Sequence, residues 1–102
     1  MDYKTIANDG IVEEEIKKSR FICHLKRIIS EEEGREYIAQ IKKEHHKANH
    51  SCSAMIVGDD GQIKRSSDDG EPSGTAGVPM LTVLEKQGLT NVVAVVTRYF
   101  GG

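Results

Sequence analysis

The chain has 102 residues, 37% hydrophobic and 29% charged, with a net charge of −2. That length fits one domain, and the composition is that of a soluble globular one. No apolar run approaches the ~20 residues of a membrane helix, the opening MDYKTIANDG lacks the basic start and apolar core of a signal peptide, and the slight acidity disfavours binding nucleic acid chiefly through phosphates.

The location expected is therefore the cytoplasm, with no membrane partner. Two cysteines, Cys23 and Cys52, are too few for a disulfide framework. Both sit among apolar residues and are expected to be buried free thiols.

In chain order, a short strand is expected over residues 3–7, ended by the turn Asn8-Asp9-Gly10. Residues 10–18 read as an edge strand. Residues 19–29 follow as a second strand, with Phe21, Cys23 and Leu25 on one face and Arg20, Ile22, His24 and Lys26 on the other. Ser30 and Glu33 form a capping box, and the acids between them favour a helix N-terminus. Tyr37, Ile38, Ile41 and His45 fall on one face of that helix, which should end at His45 or His46.

Residues 51–57 are strand-like, Asp59-Asp60-Gly61 is a hairpin turn signal, and residues 62–66 return as the partner strand. A loop over residues 67–74 precedes a second helix over residues 75–87, with Ala76, Met80, Val83 and Leu84 inward and Gly88 as the stop. Pro79 is tolerated because it lies near the first turn. In the last strand, residues 91–100, the run 92–96 is apolar on both faces, as in a strand at the centre of a sheet. The order predicts an α+β fold: a mixed or antiparallel sheet with two helices packed on it. The chain stops at Gly101-Gly102, directly after its strongest strand. The expectation is a C-terminally truncated domain, with apolar surface left unfilled.

Three clusters carry chemistry. RSSDDGEPSGTAGVP, residues 65–79, sets Asp68, Asp69 and Glu71 beside Gly70, Gly74 and Gly77. Free N–H groups at the helix start attract an anion, but the acids repel a phosphate unless a divalent cation intervenes, and no Gly-Lys-Ser/Thr follows. The bland alternative is a turn whose Asp side chains bond nearby N–H groups. His45, His46, His50 and Cys52 form a second cluster, open to zinc or a Cys–His pair, without the usual ligand spacing. In the third, TRYFGG, a cation beside two aromatics suits a phosphate and a stacked base; equally, Arg98 neutralises the acidic loop while an aromatic packs inward.

KSRFI (residues 18–22), HxxAxHxC (45–52), SDDGEPSGTAGxP (67–79) and VVTRYFGG (95–102) together resemble the IMPACT family, in its bacterial YigZ/YvyE branch. Lys47 departs from the acid expected before Ala48. The resemblance implies a fold like domain 2 of ribosomal protein S5. It makes residues 1–102 a single, partial N-terminal domain that lacks the family's C-terminal ferredoxin-like domain. It implies a non-enzymatic regulatory module that acts on translation through a protein partner or through ribosome and RNA contacts. No cofactor, metal or catalytic residue is expected, and the oligomeric state is left open.

The candidate binding surface is His50, Arg65, Asp68, Asp69, Gly70 and Glu71, with Ser73, Gly74, Thr75, Arg98, Tyr99, Gly101 and Gly102. Two rivals remain open. One is a hydrolase or phosphate-handling enzyme with a divalent metal on converging carboxylates. The other is a nucleic-acid-binding module with a basic face from Arg20, Lys26, Arg27 and Arg65.

Overall fold

A computed structural model describes residues 3–101, so the Gly102 assignment lies outside the described residues. The elements are β1 (Gly10–Ile16), β2 (Ser19–Arg27), α1 (Glu31–Glu44), β3 (His50–Val57), β4 (Ile63–Ser67), α2 (Gly77–Lys86) and β5 (Val92–Tyr99). The five strands form one sheet in the order β1-β2-β5-β3-β4, every named neighbour antiparallel. β5 is central, as its two-sided apolar run requires. The expected strand over residues 3–7 reduces to one isolated parallel bridge, Lys4 to Leu89.

The helices lie on opposite faces. α1 begins where Ser30 accepts the Glu33 N–H at 3.1 Å. Its apolar stripe brings Ile41, with Tyr37 and Ile38, onto Met55, Val57, Val93 and Val95. α2 places Leu84, Met80 and Leu81 against Ala54, Ile56 and Val92. The alternation of strand side chains thus feeds two half-cores from one sheet.

Two expectations for α2 are corrected. The helix starts at Gly77 rather than residue 75, because residues 68–75 turn twice before it. Val83, assigned inward, is 58% exposed, and Leu81 takes the inward position. The stripe is therefore 77, 80, 81, 84, which keeps Met80 and Leu84 of the expected one and is rotated from it by less than one residue of the helical wheel. Residues 92–95 of β5 are buried by the described chain itself, so the unfilled apolar surface expected on that run is not there. The open apolar area lies on the α2 side of β1 and β2, where Val12 is exposed and Phe21, Cys23 and Leu25 are half-buried.

Candidate functional site

β3 and β5 pair so that His50 stands opposite Arg98 and Cys52 opposite Val96, on the same side as α2. The acidic glycine loop folds back over this end of the sheet. Each of its three carboxylates has its own internal partner. Asp68 accepts the N–H groups of Gly74 (2.8 Å), Ala76 (3.1 Å) and Gly77 (2.7 Å). It is the anion at the start of α2, filling with protein the position where an external anion would bind. The Gly74 bond, then those of Gly77 and Ala76, hold its carboxyl below the ordinary value.

Asp69, in a left-handed conformation at φ 47°, accepts the Ser51 N–H at 2.6 Å and meets Lys42 Nζ at 3.2 Å. Its carbonyl oxygen lies 2.9 Å from His50 Nδ1. Glu71 pairs with Arg98 at 2.5 Å and accepts a hydrogen bond from Cys52 Sγ at 3.3 Å. Cys52 Sγ also lies 3.2 Å from the Asp68 carbonyl oxygen. Burial, followed by the Glu71 bond, pushes the Cys52 thiol up to about 12. A thiol held protonated in this way is a poor nucleophile.

Arg98 is wedged between aromatic rings, 5.3 Å from the Phe21 centroid and 4.5 Å from that of Phe100, with His50 edge-on to Phe100 at 5.7 Å. Its Nε is buried and has no hydrogen-bond partner among the described residues, so the ring stack is what holds that edge of the guanidinium. Asn49 fixes the end of β5 from the side. Its N–H donates to the Arg98 carbonyl, and its Oδ1 accepts the Phe100 N–H, each at 2.8 Å. Beside the loop lies a depression of about 430 Å³ lined by Phe21, Cys52, Pro72, Met80 and Val96, with the Arg98–Glu71 pair at its edge. A larger open groove of about 690 Å³ lies between the β3–β4 turn and the end of α2, away from the three chemistry-bearing clusters.

The structure therefore brings together His50, Asp68, Asp69, Gly70, Glu71, Gly74, Thr75 and Arg98, with Ser73 exposed on the same loop. It separates three others. Arg65 lies opposite Met55 on the α1 side and pairs with Glu31 at 3.1 Å. Tyr99, one residue from Arg98, faces the α1 side, where its hydroxyl is 2.6 Å from His45 Nδ1. Gly101 packs against the Lys18 backbone.

The three carboxylates point to three different partners and do not converge as a metal-assisted hydrolase requires. Among the described residues no cluster of three or more His, Cys, Asp and Glu side chains is placed to hold a metal ion. The sequence reading left Phe21, Asn49, Cys52 and Phe100 out of the site. All four lie in motifs already singled out, Phe21 in KSRFI, Asn49 and Cys52 in HxxAxHxC, and Phe100 in TRYFGG.

The family model for the Impact N-terminal domain matches residues 17–102. The chain belongs to the IMPACT family. It is 56% identical over 100 residues to IMPACT family member YvyE of Bacillus subtilis, covering 98% of this chain and 46% of that protein. A crystal structure of a hypothetical protein superposes with a TM-score of 0.90 at 45% identity, over 96% of this chain and 48% of that one. Yih1, described as a two-domain translational regulator, superposes with a TM-score of 0.66 at 27% identity, over 100% of this chain and 42% of that one. The chain thus spans about half the length of the relatives it matches.

Proposed function

We propose that this chain is the N-terminal domain of a cytoplasmic, non-enzymatic regulator of translation, followed in the full-length protein by the family's ferredoxin-like domain. It docks a protein partner through the face made by the acidic glycine loop, His50 and the Arg98 stack. The observation that carries this reading is that all three acids are spent on internal bonds. The loop is fixed in advance, and a preorganised surface loses little freedom on binding. Family membership and the likeness to a translational regulator support the regulatory role.

Capture of partners by the full-length protein, with and without nuclease, tests it. Retention after nuclease supports protein docking. Loss after nuclease assigns the face to RNA instead.

A further inference from the structure

A buried polar cluster that the docking face does not use lies under the last turn of α1. His24 of β2 is 2% exposed and faces α1. Its Nε2 is 3.5 Å from Thr97 Oγ1, and its Nδ1 has no hydrogen-bond partner among the described residues. Its ring stands 5.0 Å from the ring of His45, the C-cap of α1.

The surroundings offer a buried cation almost nothing. From α1 come Glu44 and His45. β5 contributes Thr97 and Tyr99, and β3 the buried hydroxyls of Ser51 and Ser53, on the same face by register. β1 contributes Glu13, which is already bonded to Arg20 at 2.7 Å, and the Arg20 guanidinium covers the Tyr99 ring at 5.4 Å. Glu44 is exposed and accepts from Gln40. Among the described residues no carboxylate is hydrogen-bonded to His24, so its protonated form has to find water.

The element that shuts water out is also a clamp. His45 leads into the 46–49 connection, where the Ala48 N–H donates to the His45 carbonyl and Asn49 holds both Arg98 and Phe100. We propose that this corner is an acid-sensitive latch: protonation of His24 displaces His45 and the 45–49 connection, and so releases Asn49's hold on the Arg98 end of β5. Burial, and then the neighbouring His45, lower the His24 value, against a smaller opposing influence of Glu44.

The sign follows. The open state takes up a proton that the closed state refuses, so closure is fully stable above the ordinary histidine value near 6.5 and weakens as pH falls below it, down to the depressed value of the closed form. One proton sets the limit at about tenfold in the opening equilibrium per pH unit. The consequence for docking rests on the function proposed above. The latch itself is read without any partner, so the two stand or fall separately.

The test is amide hydrogen exchange on the full-length protein from pH 7.5 to 5.0, corrected for the intrinsic pH dependence of exchange. The amides of Asn49 and Phe100 should lose protection by up to about tenfold per pH unit below about 6.5, while the Met80 amide in α2 keeps its protection. In His24→Leu that pH dependence should vanish. Unchanged protection down to pH 5.0, or the same loss in His24→Leu, would overturn the proposal. Should that variant fail to fold, His24→Gln, which is neutral at every pH tested, takes its place. The same loss of protection in His24→Gln would contradict the latch.

Discussion

Replacing Arg98 with Met keeps the length of the side chain between Phe21 and Phe100 but removes its charge. Glu71, its side chain only 15% exposed, is then left with the Cys52 thiol as its remaining donor among the described residues. A fully exposed pair would contribute at most about 1 kcal/mol, and breaking a fully buried one costs about 3–5 kcal/mol. With side chains 31% and 15% exposed, this pair falls between the two limits. A loss of about 2 kcal/mol is expected, a factor of about 30 in the folding equilibrium.

Urea unfolding measures it, and a double-mutant cycle isolates the cause. Glu71→Gln removes the stranded charge, so Arg98→Met combined with Glu71→Gln should be about 1 kcal/mol more stable than additivity allows. The Gly74 and Gly77 amides should exchange faster in Arg98→Met and unchanged in Lys47→Ala, whose exposed side chain is not a partner of Glu71. Strict additivity, or a loss below about 0.5 kcal/mol for Arg98→Met, would refute the reasoning that the pair sets the loop.

Two glycines should behave oppositely. A Cβ at Gly77 would lie 2.7, 2.8 and 2.9 Å from the N, O and C of Ser67, all backbone, so Gly77→Ala should cost about 3 kcal/mol in urea unfolding. At Gly34 the close atoms are Met55 Sδ and Cε at 2.7 and 2.9 Å, the end of a flexible side chain, and the better helix propensity of alanine offsets the crowding. Gly34→Ala should therefore stay within about 1 kcal/mol of the wild type. Native labelling with a water-soluble disulfide reagent at pH 8 should modify half-buried Cys23 slowly, and Cys52 only on unfolding.

Much of this architecture can be read from local signals. α1 is marked by Ser30, its acids and a clean 3.6-residue stripe, and it folds where those signals place it. β5 is central because both of its faces are apolar. The α2 boundary is obscured because Thr75 and Ala76 are acceptable helix residues. What keeps them outside is Asp68, which reaches across the loop to the Gly74, Ala76 and Gly77 N–H groups. Period two along β5 already separates Tyr99 from Arg98, so grouping them in one site conflicts with strand geometry.

Other placements rest on long-range contacts that no local pattern encodes. Arg65 is drawn to Glu31 on the α1 side. His24 shares a face with Arg20 and Lys26, which suggests exposure, yet His45 descends from the end of α1 and buries it.

The most direct measurement compares affinity capture by the wild-type, Arg98→Met and Lys47→Ala forms of the full-length protein, each with and without nuclease. The account predicts a partner from the translation machinery that survives nuclease, is retained by Lys47→Ala and is lost or strongly depleted with Arg98→Met. Capture abolished by nuclease, or capture indifferent to Arg98→Met, would contradict docking through this face.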